Sequence, residues 1–272
     1  MKDLRTAYGP YAVVTGASSG IGEQFARQLS AAGVSVVPVA RREDRLQALA
    51  AELSQAHGTD NLVIGLDLLA DGAVDELICR VGDLDIGIVV VNAGISSAGP
   101  LVDSSLAYEL EVVTLDAVVP LQMAHAFGNA LVRRGRGAIV LVASTLEAGA
   151  VPYVANYAAA KAYVSSLGQA LHYELKRDGV DVLVVSPGMT QTEITERSFG
   201  LDPQKISGPR MAASQVARAA LNSLGIRARV VPGFTNRVAD VLLRHVIPRS
   251  LSVTMFGWLF GRALIDTPPH RQ

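Results

Sequence analysis

Tyr157 and Lys161 are the residues in this sequence best suited to moving a proton. They stand four apart in a stretch of helical composition, so their side chains share one face. A phenol ordinarily titrates near ~10, too high to exchange protons readily at neutral pH. A neighbouring ammonium favours the phenolate and lowers that value, which equips Tyr157 as a general acid/base. Ser144 comes 13 residues earlier, at the end of an apolar run, where its hydroxyl can hold and polarise a substrate oxygen. A Tyr-x-x-x-Lys pair alone is common on helix surfaces. Its order behind Ser144 and behind a glycine-rich segment makes it specific here.

That segment is Thr15-Gly16-Ala17-Ser18-Ser19-Gly20-Ile21-Gly22, which joins the first apolar run directly to a helical pattern. Gly16 permits a tight turn, Gly20 lets the backbone approach a pyrophosphate, and Gly22 lets helix and strand pack closely. The free N–H groups and dipole of the helix start then face the phosphate charge. A plain glycine-rich turn has the same composition, but the second strand adds its own chemistry. It ends Ala40-Arg41-Arg42, with alanine where an NAD site often carries an acid for the ribose hydroxyls. Guanidiniums suit a 2′-phosphate through forked, charge-assisted hydrogen bonds, and Ser18 can add a hydroxyl. NADP(H) is therefore favoured over NAD(H), the alternative for Arg41 and Arg42 being a solvated start to the next helix. Asp67 can accept from an adenine amine or form a turn, with Leu68 beside it.

These groups need a scaffold. Short, β-branched apolar runs at 11–15, 34–40, 62–67, 86–91, 138–143 and 180–186 read as strands buried on both faces. Helical patterns at 21–32, 44–57, 72–81, 104–134 and 155–178 alternate with them. This alternation predicts an α/β fold, a Rossmann-type doubly wound parallel sheet in a single domain spanning 1–272. Pro38 cannot donate to a ladder, so a bulge or an early strand end is expected there. Ser144 falls at a strand's carboxyl end, the edge where open α/β sheets bind ligands.

In this order the motifs resemble the short-chain dehydrogenase/reductase family, in its compact single-domain branch, over roughly residues 10–235. The resemblance rests on the 15–22 loop, Asp67, Asn92-Ala93-Gly94, Ser144, Tyr157-x-x-x-Lys161, and Pro187-Gly188 followed by Thr190 and Thr192. It implies a seven-stranded sheet with 228–231 as its last strand. It also implies that Asn92, Ala93 and Gly94 steady the sheet along the cofactor, while Pro187, Gly188, Thr190 and Thr192 cradle the nicotinamide end. With Ser19, Gly20, Ile21 and Leu68 these complete the expected cofactor contacts. A homodimer or homotetramer built on the two long helices follows from the same resemblance. The implied reaction is hydride transfer between NADPH and a carbonyl. In it Tyr157 supplies the proton, Lys161 lowers its pKa and binds the nicotinamide ribose, and Ser144 orients the carbonyl.

One position departs from the family pattern. Asp116 stands where the family usually has an asparagine that holds a proton-relaying water. An ionised Asp116 can accept from water but cannot donate as an amide does, and it can attract Lys161 away from Tyr157. We expect it still to organise a proton relay. A non-catalytic, NADP(H)-binding sensor with the same fold is the alternative, and Asp116 is the only feature pointing to it. Running the reaction from alcohol to ketone is a third reading.

The remaining features bound the setting. With 24 basic and 25 acidic residues, no basic face for nucleic acid is expected. The histidines lack metal-ligand spacing, so no metal site is indicated. The single Cys79 and the polar first ten residues suggest a reducing, cytoplasmic location. Ser96, Leu146, Val151, Tyr153, Met189 and Ile194 are candidates for a substrate wall, and 195–210 reads as a mobile lid. An apolar pocket suggests a lipophilic ketone as the small-molecule substrate. From about 236 to 265 the tail is apolar and basic. It can pack on the domain or a partner subunit, close over a greasy substrate, or, as the least favoured reading, touch a membrane through Arg237, Arg244, Arg249 and Arg262.

Overall fold

The strands are short, mostly apolar runs without a regular polar–apolar alternation, so each must be covered on both sides. The computed structural model, which describes residues 3–191, 193 and 210–264, meets that demand with helices on both faces of one parallel sheet. Its strands are β1 (Tyr11–Thr15), β2 (Ser35–Ala40), β3 (Ile64–Gly65), β4 (Ile86–Val91), β5 (Gly137–Val142), β6 (Val180–Val185) and β9 (Arg229–Val230). They lie in the order β3-β2-β1-β4-β5-β6-β9, with a separate small pair formed by β7 (Thr190–Gln191) and β8 (Met211–Ala212). The order reverses between β1 and β4. That reversal opens a crevice at the carboxyl ends of the strands.

Successive strand residues feed opposite cores. Val14, Val36 and Val140 pack with Phe25 and Leu29 of α2 (Gly20–Ala31), Leu46 of α3 (Glu43–His57), and Val216 of the later helix α8 (Ala213–Ser223). Val13, Val89 and Ile139 pack on the other side with Leu77 of α4 (Ala73–Val81) and with Met123, Phe127 and Leu131 of α6 (Val119–Arg134). Val164 of α7 (Ala155–Lys176) joins that second core. The described residues close with two further helices, α9 (Phe234–His245) and α10 (Arg249–Ala263), and open with the short α1 (Leu4–Tyr8).

Three local expectations need correction. Pro38 causes neither a bulge nor an early end, because β1 and β2 pair in unbroken register from Tyr11↔Ser35 to Thr15↔Val39. Val36 and Ala40, two residues either side, turn their carbonyls to Leu62 and Leu66. By alternation Pro38 faces the same way, where β3 is only two residues long and asks it for no N–H. The third strand is correspondingly shorter than 62–67. Finally, the helix expected over 104–134 is α5 (Leu106–Val113) and α6 joined by one turn of π-helix at Thr114–Val118. Pro120, at the start of α6, has no N–H for the carbonyl of residue 116, and its ring crowds that carbonyl. A wider turn there relieves both problems.

Candidate active site

The π-turn carries Asp116 inward. The carboxylate is fully buried, accepts from the Ile95 N–H at 3.0 Å, and stands 2.5 Å from Lys161 Nζ. Gly94 makes this possible, since a Cβ there would collide with Asp116 Oδ1. Lys161 is itself buried and donates to the Val142 carbonyl at 3.2 Å. Burial works against its ammonium, but Asp116 and then Tyr157 hold its pKa above the ordinary lysine value. For Asp116 burial is the larger influence and lifts the carboxyl above its usual range, with Lys161 opposing.

Helix α7 supplies Tyr157 and Lys161 from its first two turns, with Lys161 Nζ 5.6 Å from the Tyr157 ring centre. Removal from water raises the Tyr157 phenol above ~10. Lys161 pulls the value down, Asp116 pushes it up again, and a hydrogen bond with Ser144 lowers it. The net direction is upward, against the expectation of a lowered phenol. Lys161 does act as expected, but burial outweighs it in the chain alone. Tyr157 therefore holds its proton at neutral pH, which is the state a proton donor needs. Ser144, just beyond β5, caps a short 3-10 turn at Thr145–Ala148 by accepting from the Leu146 N–H at 3.2 Å.

The reacting groups occupy one part of a cleft of about 430 Å³ along the strand ends. Gly16, Ser18, Ser19, Gly20 and Ile21 line it from the loop, and Arg41, Arg42, Asp67 and Leu68 from the ends of β2 and the third strand. Asn92, Ala93 and Gly94 follow β4, while Pro187, Gly188 and Thr190 follow β6. Gly22 lies behind the loop, where a Cβ would strike the Gly16 carbonyl and the Asn92 amide. Asn92 Nδ2 donates to the Thr15 carbonyl at 3.0 Å, so strand and loop are fastened together. Thr192 lies outside the described residues, as do Ile194 and 195–209 of the expected lid. Asp67 Oδ1 accepts from the Leu69 N–H at 3.1 Å, the turn-forming role, and its other oxygen lies 3.9 Å from Arg41. A glycine cradle at a helix start, closed by a backbone-bonded asparagine, fits the pyrophosphate of a dinucleotide.

Comparison with known proteins identifies the family. The family model for short chain dehydrogenase matches residues 10–200. The chain belongs to the short-chain dehydrogenase family. It is similar to a 7beta-hydroxysteroid dehydrogenase of Collinsella aerofaciens, 27% identical over 237 residues, or 86% of this chain and 90% of the relative. A solved structure reported for 7beta-hydroxysteroid dehydrogenase stereoselectivity superposes with a TM-score of 0.85 at 25% identity, covering 93% of this chain and 99% of that one. A short-chain dehydrogenase from Sphingobium yanoikuyae in complex with NADPH gives 0.77 at 31% identity, covering 85% and 91%. As a member of the family, this short-chain dehydrogenase is an oxidoreductase that acts on hydroxyl or carbonyl groups with a nicotinamide cofactor.

Around this short-chain dehydrogenase's cleft are residues that motif reading missed. Glu147, three positions after Ser144, is buried and gathers Ser165 Oγ at 2.8 Å, Ser186 Oγ at 3.0 Å, Arg229 Nε at 2.6 Å and Arg244 Nη2 at 2.7 Å, all on Oε1. Asp240 of α9 bonds both arginines in turn, Arg229 through two nitrogens. One carboxylate thus joins the Ser144 turn, helix α7, the residue before Pro187, the last strand and the tail. Its Oε2 has no hydrogen-bond partner among the described residues.

The tail packs on the domain. Phe260 of α10 sits with Val151, Val154 and Ala158, and also lines the cleft. Val151 belongs to that cluster and Tyr153 packs against it, and neither lines the cleft, while Leu146 and Met189 do. Ser96 is buried and does not line it.

Proposed function

We propose that this enzyme reduces a lipophilic ketone to a secondary alcohol with NADPH, or runs the reverse with NADP⁺. The observation that carries the reading is one continuous cleft. Ser144, Tyr157 and Lys161 stand in it with apolar Leu146, Met189 and Phe260, and the same cleft reaches Ser18, Ser19 and Arg42.

A bound nicotinamide dinucleotide supplies or accepts the hydride. The protein's own groups do the rest. Tyr157, neutral at physiological pH, gives its proton to the carbonyl oxygen as negative charge develops there. Ser144 donates to the same oxygen and fixes which face of the carbonyl is presented. Lys161 stabilises the phenolate left behind, and Asp116 keeps Lys161 charged. Arg42 with the two serine hydroxyls suits a 2′-phosphate, which supports NADP(H) over NAD(H). The steroid dehydrogenase and NADPH-bound relatives support the substrate class and the cofactor in the same sense. The exposed Leu106, Leu110, Leu121 and Tyr163 on α5–α7 are the surface we assign to a second copy of the chain.

Tyr157→Phe is the direct test. NADPH binding, followed by fluorescence, should be retained, while NADPH oxidation over a panel of ketones falls by about 10²–10⁴. Full turnover in that variant overturns the assignment. Cofactor binding by the wild type without turnover on any ketone or aldehyde points instead to a sensor.

A further inference from the structure

Arg42 is turned into the cleft. Its Nη2 donates to Ser18 Oγ and Ser19 Oγ, each at 2.9 Å, and its Nε lies 3.2 Å from Ser18 Oγ. The remaining nitrogen, Nη1, stands 2.6 Å from Oε2 of Glu193, a residue 151 positions later in the chain. Arg45 Nη1 is 2.6 Å from the other oxygen of the same carboxylate. One anion is therefore forked between two guanidiniums at a hydroxyl-lined pocket, and Glu193 itself lines the cleft. Arg41, by contrast, is exposed, with Asp67 3.9 Å away. Hydrogen bonds from Arg45 and Arg42 hold the Glu193 carboxyl at about 2, so it stays ionised at any physiological pH.

Donors arranged for a carboxylate fork are also donors for a phosphate oxygen. A cofactor that brings a 2′-phosphate to Ser18, Ser19 and Arg42 meets a pocket whose positive charge already has a partner. We propose that Glu193 is the resident counter-anion of the 2′-phosphate pocket, that Arg45 is the pocket's second guanidinium, and that displacement of this carboxylate sets the margin between NADP(H) and NAD(H). The proposal rests on the reading of the cleft as a dinucleotide site. A 2′-phosphate carries more charge than a carboxylate and can replace it on both arginines. The 2′-hydroxyl of NAD(H) cannot, and it leaves Glu193 where it is. Binding of NADP(H) therefore includes the cost of breaking two ion pairs, and binding of NAD(H) does not.

The ion pairs are about one-third exposed, so the exchange is between partly solvated ions and its effect is modest. Glu193→Gln should bind NADPH roughly three- to tenfold more tightly, with NADH unchanged. The measurement is fluorescence titration of the purified full-length protein with each dinucleotide at fixed ionic strength, with 2′-AMP and 5′-AMP as competing probes. The variant should gain affinity for 2′-AMP and not for 5′-AMP, and Arg45→Gln should lose affinity for NADPH and 2′-AMP only. Unchanged or weaker NADPH binding by Glu193→Gln overturns the proposal, as does an equal gain for both dinucleotides. A wild-type protein that binds neither dinucleotide overturns the reading of the cleft, and this assignment falls with it.

Discussion

Lys161 Nζ lies 2.5 Å from Asp116 Oδ1, both side chains being buried, and 5.6 Å from the centre of the Tyr157 ring. The ammonium is thus shared between a carboxylate and a phenol. In a site of low dielectric that sharing matters, because the negative charge of Asp116 partly cancels the pull that Lys161 exerts on the Tyr157 proton. The same charge keeps Lys161 protonated, and an amide at position 116 would do neither.

Asp116→Asn should therefore move the alkaline limb of carbonyl reduction to lower pH. Removing the carboxylate lets Tyr157 lose its proton earlier, since Asp116 raises that phenol. It also removes the main support of the Lys161 ammonium against burial. Both changes reduce activity at the alkaline end. The check is kcat against pH for the two proteins with one ketone at saturating NADPH. Superimposable profiles would show that Asp116 plays no part in the proton balance.

The Glu147 network predicts a stability effect of its own. Glu147→Gln keeps an acceptor at Oε1 but leaves Arg229 and Arg244 with Asp240 as their one carboxylate among the described residues. Removing one partner from a buried ionic cluster costs about 3 kcal/mol at the low end. In a chain of this size that lowers Tm by roughly 5–10 °C. Because Glu147 follows Ser144 by three residues, kcat should fall more than KM changes. An unaltered melt by differential scanning calorimetry would refute the role given to the network.

Much of this was readable from local pattern, for physical reasons. The β-branched runs could only be strands buried twice over, and the loop at 15–22 needed glycine where Gly16 and Gly20 take positive φ. Tyr157 and Lys161 share a face because helical spacing requires it. The features that escaped depend on chain closure over long separations. Glu193 reaches Arg42 across 151 residues, and Glu147 reaches Arg229 and Arg244 across 82 and 97. No periodicity records such contacts. Arg41 and Arg42 both line the cleft, but sequence could not separate them, since only the chain's exit angle from β2 decides which one meets Ser18 and Ser19. The π-turn at 114–118 had a local sign in Pro120, but its consequence, an inward Asp116, needed Gly94 and Lys161 in place.

Phe260 offers a test of the substrate end. It is 7% exposed, packs with Val151, Val154 and Ala158, and contributes its ring to the cleft wall. Truncation to alanine removes a large apolar side chain from both jobs. The packing loss should cost about 3 kcal/mol of stability, at the low end for such a change because the cleft already opens beside it. The space released lies in the cleft, so a bulkier ketone should gain relative to a small one by about tenfold in kcat/KM, the scale that one or two methylenes command in an apolar pocket. Measuring kcat/KM for a bicyclic and an acyclic ketone with wild type and Phe260→Ala decides it. An equal fall for both substrates would mean that Phe260 only holds the tail helix down and does not bound the substrate.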